Sequence, residues 1–495
     1  MTVRVTVADP TAHRCDVLAL GVFSGPARLE GIAAKVDHAL GGLLARALHE
    51  EQFTAEAGKV VFLHTHGRLP AGRLAVVGLG DRDAFNIDGV RLAAASVARA
   101  VAGRRLTRLA FPPFQHRNWE PAAIAAARTE GALLGTYAFT KYRKERGHTV
   151  HLELLAANRA EAAAVEAGRR RGQVVADAVN YARDLVNEPA NILTPDALAA
   201  HARRAARGTK LRVQVWGPSD LKKRGMELIM AVGGASAHTP RLILLEYAPP
   251  RPKRTVALAG KGVTFDSGGL DLKPAEGMAT MKGDMAGAAA VLATMRALPL
   301  LAPQVRVTAA IAAVENAVGS RAFRPGDVFR GVNGTTVEIT NTDAEGRLIL
   351  ADAVAHLAAG GPNEIVDLAT LTGAAGVALG PYAAALMGTD PALLDRLVAA
   401  AGRAGERLVP LPLYEEYRQA MRSDVADIKN SGTRPGGAQK GAIFIREFAG
   451  GIPWAHVDIA PVAYLDKEEG TNAVQPKGAS GYGVRTLLEY LTARD

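Results

Sequence analysis

The run Val256-Ala-Leu-Ala-Gly-Lys-Gly-Val-Thr-Phe-Asp-Ser-Gly-Gly269 decides how the chain is read. Four apolar residues at 256–259 read as a buried strand, and the glycines that follow read as a loop carrying Lys261 and Asp266. Downstream come Lys273 and then Lys282-Gly283-Asp284-Met285, ahead of an Ala-rich helical run at 286–298. Asn341-Thr-Asp-Ala-Glu-Gly-Arg-Leu348 lies between a strand predicted at 337–340 and a helix predicted at 348–359. Asp266, Asp284, Asp343 and Glu345 thus sit among Gly, Ala, Val and Leu, where buried charge is costly unless something positive offsets it. A pair of divalent metal ions is the expected offset.

Working outward, strand-like runs at 3–7, 17–22, 60–64, 74–78, 108–111 and 150–155 alternate with helical runs at 31–48, 90–101 and 121–134. A long helical pattern at 157–185 ends at Asn187-Glu188-Pro189. Beyond it, strands at 211–215, 228–232, 242–247, 256–259, 305–312, 337–340, 364–368 and 455–459 alternate with helices at 195–206, 286–298, 348–359, 391–404 and 414–422. Asn333-Gly334, between two strand-like runs, predicts a hairpin over 328–340. The expected fold class is α/β, with two α/β domains. A smaller N-terminal domain spans 1–156, a connecting helix 157–189, and a larger catalytic domain 190–495, built on a central, mostly parallel sheet flanked by helices.

A 495-residue chain that is 48% hydrophobic and 22% charged is a soluble globular protein of more than one domain. Its one cysteine, Cys15, excludes an intrachain disulfide and fits a reducing, cytoplasmic setting. The first residues alternate like a strand and lack the apolar core of a signal peptide. The uncharged stretch 368–389 is long enough to cross a bilayer, but glycines, threonines and Pro381 interrupt it. A buried strand and loop are expected there, and no membrane partner. The net charge of +10 concentrates at Arg169-Arg170-Arg171 and Lys141-Tyr-Arg-Lys-Glu-Arg146. A solvated basic face is the favoured reading. A DNA-binding or scaffold role through the basic N-terminal domain, beside or instead of catalysis, is the alternative.

The chain has no His-Glu-x-x-His helix, Gly-x-Ser-x-Gly elbow, Walker-type loop or paired cysteine ligands. Carboxylates suit Mg or Mn, and Zn accepts them too. Asp284 reads equally well as a helix cap, but capping does not account for Asp343 and Glu345 together with Arg347. Four carboxylates balance two divalent ions. Near such cations one of Lys261 and Lys273 loses its proton readily and can ligate, while the other stays charged to stabilise an oxyanion. The residues alone do not choose between them, and each also reads as an ordinary surface lysine.

These motifs resemble those of the leucyl aminopeptidases, cytosolic two-metal exopeptidases of hexameric type. The octapeptide 341–348, the run 260–269, Lys282-x-Asp284-Met285, Asn187-Glu-Pro-Ala-Asn-Ile-Leu-Thr-Pro195, Ala369-Thr-Leu-Thr-Gly-Ala374 and Trp454-Ala-His-Val-Asp-Ile-Ala460 carry the resemblance. Glu130-Gly-Ala-Leu-Leu-Gly-Thr-Tyr137 extends it into the first half. The resemblance implies that Lys261, Asp266, Asp284 and Glu345 hold a tighter metal. Asp266, Asp343 and Glu345 would hold a second, with Asp266 and Glu345 bridging. It implies Zn or Mn, with Mg or Co as alternatives. Lys273 would be the charged electrophile beside the scissile carbonyl, and Arg347 would hold a bicarbonate ion acting as general base. The implied substrates are peptides with a free N-terminus, and the implied assembly is a homohexamer. Met281, Thr370, Gly373, Ala460 and Ala463, with Leu371 close by, would line the pocket for the first side chain. A deformable Met wall favours a Leu- or Met-like residue. Gly283, the run Ala460-Pro461-Val462-Ala463-Tyr464 and the loop 432–441 depart from the family pattern and bear on substrate preference. A two-metal phosphoesterase is the competing enzyme reading, and it would call for more His ligands.

Overall fold

In the computed structural model, which describes residues 2–25, 29–114, 116, 118–144 and 147–493, the chain forms two units. One comprises Met1–Asp177 with Thr471–Pro476, the other Ala178–Gly470 with Lys477–Asp495. The long helix Arg159–Asn187 runs through the division.

The first unit is a six-stranded sheet of β1 (Thr2–Val7), β2 (Val17–Val22), β3 (Val60–His64), β4 (Arg73–Gly78), β5 (Arg108–Phe111) and β6 (His151–Ala156), in the order β1-β6-β5-β2-β4-β3. All neighbours pair parallel except β3 with β4. Buried apolar runs such as Leu74–Val77 fit strands covered on both faces. Leu18 and Leu20 pack with Val36, Leu40 and Leu44 on one face, while Val17 and Ala19 pack with Val97, Leu109 and Ala125 on the other.

The single helix expected at 31–48 is two, Gly31–Ala39 and Leu43–Glu50. Gly41 and Gly42 break it at φ +66° and +79°, a left-handed backbone that ends a helix and that glycine adopts without strain. The Glu130–Tyr137 motif serves packing: a Cβ at Gly131 would lie 2.1 Å from the Arg91 carbonyl oxygen. Helices Ile87–Gly103 and Pro121–Gly135 therefore meet at backbone distance, locked by the buried Arg91–Glu130 pair at 2.7 Å. Arg169 and Arg170 are both tied to Glu166, at 2.7 and 2.8 Å. Of the second basic cluster, Glu145 and Arg146 lie outside the described residues.

The second unit holds an eight-stranded sheet of β7 (Leu211–Trp216), β8 (Arg241–Tyr247), β9 (Arg254–Asp266), β10 (Val305–Asn316), β13 (Glu364–Ala369), β14 (Ala384–Gly388), β15 (Leu408–Pro410) and β17 (Trp454–Asp458), ordered β15-β14-β17-β13-β9-β10-β8-β7. The intervening numbers belong to a three-stranded sheet of β11 (Val328–Arg330), β12 (Thr336–Glu338) and β16 (Ile428–Lys429), whose first two strands form the expected hairpin. The central four strands, β17, β13, β9 and β10, run parallel, with β14 and β8 joining antiparallel on either side.

Three sequence expectations change here. β9 continues through the stretch read as a glycine loop, to Asp266. Its glycines answer to packing: a Cβ at Gly260 would sit 2.9 Å from Ala288 Cα, and one at Gly262 2.6 Å from the Ala312 carbonyl oxygen. The strand expected at 228–232 is the helix Glu227–Gly233, buried against Glu345–Ala358; a five-residue apolar run carries no period that separates the two. Part of the 432–441 loop is the start of a helix, Gly437–Arg446.

The uncharged stretch 368–389 resolves into the end of β13, the helix Gly373–Leu379 and β14. Among the described residues, one segment, Ala275–Leu301, is long and apolar enough to cross a membrane, and 78% of its apolar window is buried inside the protein. That burial is what a core helix requires.

Candidate metal centre and substrate cavity

Four parallel strands release the chain at one edge of the large sheet. β9 ends on Asp266 and β10 on Asn316; β13 leads into Thr370–Gly373, and β17 ends on Asp458 ahead of Ala460. The carboxyl edge of a parallel sheet is where α/β folds gather their ligand sites. A cavity of about 610 Å³ opens there. It is lined by all the residues expected to act: Lys261, Asp266, Asp284, Asp343 and Glu345; Lys273 and Arg347; Met281, Thr370, Leu371, Gly373, Ala460 and Ala463.

Lys261 projects from the middle of β9. Its Nζ donates to the Thr370 carbonyl oxygen at 2.7 Å and pairs with Asp284 at 2.8 Å and Glu345 at 2.9 Å. Gly346 leaves room for that side chain. Asp284 follows the turn Met281–Gly283 and also accepts a hydrogen bond from Thr370 Oγ1 at 2.7 Å, so Thr370 positions an acid as well as lining the cavity. Asp266 accepts from the Gly268 amide and from Asn316 Nδ2, both at 2.8 Å, and its other oxygen meets Lys273 at 2.9 Å. Lys273 also pairs with Asp343. Glu345 and Arg347 lie in the first turn of the helix Glu345–Ala358, which starts earlier than expected.

The donor set fits divalent cations. Asp266, Asp343 and Glu345 each bring a carboxylate oxygen within 4.8 Å of the others. Four acids face two ammonium groups, leaving an excess of two negative charges in a largely buried site. Among the described residues, Asp284 Oδ2 and Glu345 Oε2 are buried with no hydrogen-bond partner, the arrangement a metal ligand needs. Burial pushes the Asp284 and Glu345 carboxyls up, and the neighbouring acids add to this against the pull of Lys261. Burial pulls the Lys261 and Lys273 ammonium groups down, but the surrounding carboxylates outweigh it and hold both above the usual lysine value.

Arg347 is buried and donates to the Asn430 carbonyl oxygen at 2.8 Å, while its Nε has no partner among the described residues. Burial lowers its pKa to about 10. Three residues not singled out from the sequence complete the site. Asn316 orients Asp266. Asn430 binds the Thr340 and Asn341 amides and the Asn341 carbonyl, fixing the loop that carries Asp343. Asp458 accepts from the amides of Leu371, Thr372 and Ala460 and from Thr372 Oγ1, joining the two walls of the cavity. The signal for Asn316 lies in its register, directly opposite Asp266 across β10 and β9. Gly283 faces Tyr464, whose ring lies 3.4 Å from where its Cβ would be, so the two departures from the family pattern adjoin.

Residues 180–488 match the family model described as the catalytic domain of the cytosol aminopeptidase family, and residues 19–146 match that family's N-terminal domain. The chain belongs to the cytosol aminopeptidase family. It is an aminopeptidase, a metal-dependent hydrolase. Similar relatives include the probable cytosol aminopeptidases of Geobacter sulfurreducens (42% identity, covering 100% of this chain and 99% of that protein) and Roseiflexus castenholzii (41%, 99% and 99%). Among solved structures, the bottromycin maturation enzyme BotP in complex with Mn matches with a TM-score of 0.85 at 39% identity, over 97% of this chain and 99% of that one. A tomato leucine aminopeptidase variant matches with a TM-score of 0.89 at 32% identity, over 99% and 96%.

Proposed function

We propose that this aminopeptidase releases N-terminal residues, with Leu- or Met-like side chains preferred, through a centre of two divalent ions. The observation that carries this reading is the cluster of four acids with unpartnered buried oxygens, at the carboxyl edge of the sheet and beside an apolar wall. Lys261, Asp266, Asp284 and Glu345 would hold one ion, and Asp266, Asp343 and Glu345 the other. Zn or Mn suits this donor set, with Mg or Co as alternatives. When bound, such ions supply Lewis acidity and a water acidified to near-neutral pKa.

The chain's own residues do the rest. Lys273, charged and partly open to the cavity, stabilises negative charge developing on the scissile carbonyl oxygen. Arg347 presents a guanidinium to a small oxyanion such as bicarbonate, which would carry the proton to the leaving amine. Met281, Thr370, Leu371, Gly373, Ala460 and Ala463 exclude water and receive the first side chain. A free, neutral α-amine would be held at the ion site that these acids build, which distinguishes an exopeptidase from an endopeptidase.

Leu-p-nitroanilide should be hydrolysed with added Mn or Zn, and its N-acetyl derivative should not; equal rates on both would overturn the reading. Removing bicarbonate should slow the wild type, whereas Arg347→Ala should already be slow and no longer respond to added bicarbonate. A bicarbonate response that persists in Arg347→Ala would move the anion elsewhere.

Relatives named as cytosol aminopeptidases support a cytoplasmic location. Membership of the family supports a homohexamer, and a monomeric mass by light scattering would contradict it. The nucleic-acid reading rests on net charge and its basic clusters, and of the first cluster Arg169 and Arg170 are engaged in local ion pairs.

A further inference from the structure

The N-terminal unit contains a second crevice, larger than the substrate cavity. It measures about 860 Å³ and is lined by residues at the carboxyl ends of β1, β2, β5 and β6, including Ala8, Val22, Pro112 and Ala157. Its position follows from topology. From β2 the chain passes to the helix Gly31–Ala39 on one face of the sheet, and from β5, the neighbour of β2, it passes to Pro121–Gly135 on the opposite face. Adjacent strands whose connections part to opposite faces open a gap at their carboxyl ends, and open α/β sheets bind ligands in that gap.

Among the described residues, the acidic and basic side chains lining the crevice are ion-paired, with the exception of Arg128. Asp9 pairs with Lys35 at 2.8 Å, and Glu30 pairs with Arg82 at 2.7 Å. Arg128 lines the crevice and is half-buried, with its guanidinium 5.3 and 5.4 Å from the rings of Phe111 and Phe114. Among the described residues it gives one hydrogen bond, to the Pro112 carbonyl oxygen at 2.6 Å, and has no carboxylate within ion-pair distance, Glu161 acting on its charge only from further away. A guanidinium fixed by stacking and with donors left over is prepared for an oxyanion. The helix Gly31–Ala39 begins at the same crevice: Gly31 and Ile32 line it, and the residue before them, Glu30, makes no side-chain cap. First-turn amides have no acceptor within their own helix, and the dipole there favours an anion. Leu20, Phe23 and Phe114 supply an apolar wall.

We propose that this crevice binds a small organic anion, whose phosphate or carboxylate group meets Arg128 and the Gly31–Ile32 amides and whose apolar or aromatic body lies against Leu20, Phe23 and Phe114. The volume suits a ligand the size of a mononucleotide. This site is separate from the acid cluster of the catalytic unit and does not depend on the reading of that cluster.

Isothermal titration of the full chain tests it with four probes: AMP and indole-3-acetate, which carry both an anion and an aromatic body; adenosine, which has the body alone; and inorganic phosphate, which has the anion alone. AMP or indole-3-acetate should bind with a Kd below about 1 mM, and the single-feature probes roughly tenfold or more weaker. Binding of AMP but not indole-3-acetate identifies an organic phosphate as the ligand type, and the reverse identifies a carboxylate. Arg128→Gln removes the charge and Ile32→Trp fills the crevice without touching it. Each should weaken binding roughly tenfold or more while Leu-p-nitroanilide hydrolysis stays at the wild-type rate. The proposal fails if neither anion binds in this range, if binding survives both substitutions, or if Glu345→Ala abolishes it and so places the ligand at the acid cluster.

Discussion

Glu345→Ala is expected to lower Leu-p-nitroanilide hydrolysis by at least about a thousandfold at saturating Mn or Zn, with the far-UV circular dichroism unchanged. Glu345 is buried in the first turn of its helix, shares Lys261 with Asp284, and leaves one oxygen without a protein partner. It is also one of the three acids whose oxygens converge within 4.8 Å. Alanine removes the charge but keeps the helix, because alanine is the strongest helix former. Lys261 retains Asp284 and the Thr370 carbonyl, so no buried ammonium is stranded. Glu345→Gln keeps the shape and removes the charge, and it should be nearly as slow. Activity within tenfold of wild type in both variants would take the acid cluster out of the chemistry.

Gly346→Val is the second large effect, and it acts without changing any charged group. A Cβ at 346 would lie 2.5 Å from Lys261 Cε and 2.7 Å from its Nζ. Lys261 is buried and bound on three sides, so the extra methyl groups must displace either the lysine or the turn that carries Glu345. Overpacking of this kind costs about 1–3 kcal/mol. Misplacing a catalytic group by about an ångström costs about a hundredfold in rate, which is the expected loss of activity. Gly402→Ala is the control: it lies inside the helix Pro391–Ala404 with open space where its Cβ would be, and it should leave the rate unchanged. Wild-type activity in Gly346→Val would mean that Lys261 need not sit between Asp284 and Glu345.

The candidate site was legible because its residues contradict their surroundings. Asp266, Asp284, Asp343 and Glu345 are acids in runs of Gly, Ala and Val, and no pattern of surface charge explains them. The strand carrying the first of them was cut short because glycine is read locally as a loop former. Gly260 and Gly262 are instead required by the Ala-rich helix Ala286–Leu301 and by β10, partners that no local pattern reveals. The 228–232 run reads as a strand yet folds as a helix for a related reason, since a short apolar segment acquires its geometry from the helix it packs on. Asn316, Asn430 and Asp458 act through bonds to residues 50 or more positions away, such as Asn316 to Asp266 and Asn430 to Thr340. The crevice of the N-terminal unit left no motif, because it arises from the parting of two connections.

Anomalous diffraction from crystals soaked in Mn tests the central claim most directly. Two peaks per chain are predicted inside the cavity, one among Lys261, Asp266, Asp284 and Glu345 and one among Asp266, Asp343 and Glu345. Crystals that bind Mn but show no peak among these side chains, or a single peak that stays single as the Mn concentration rises, would contradict it.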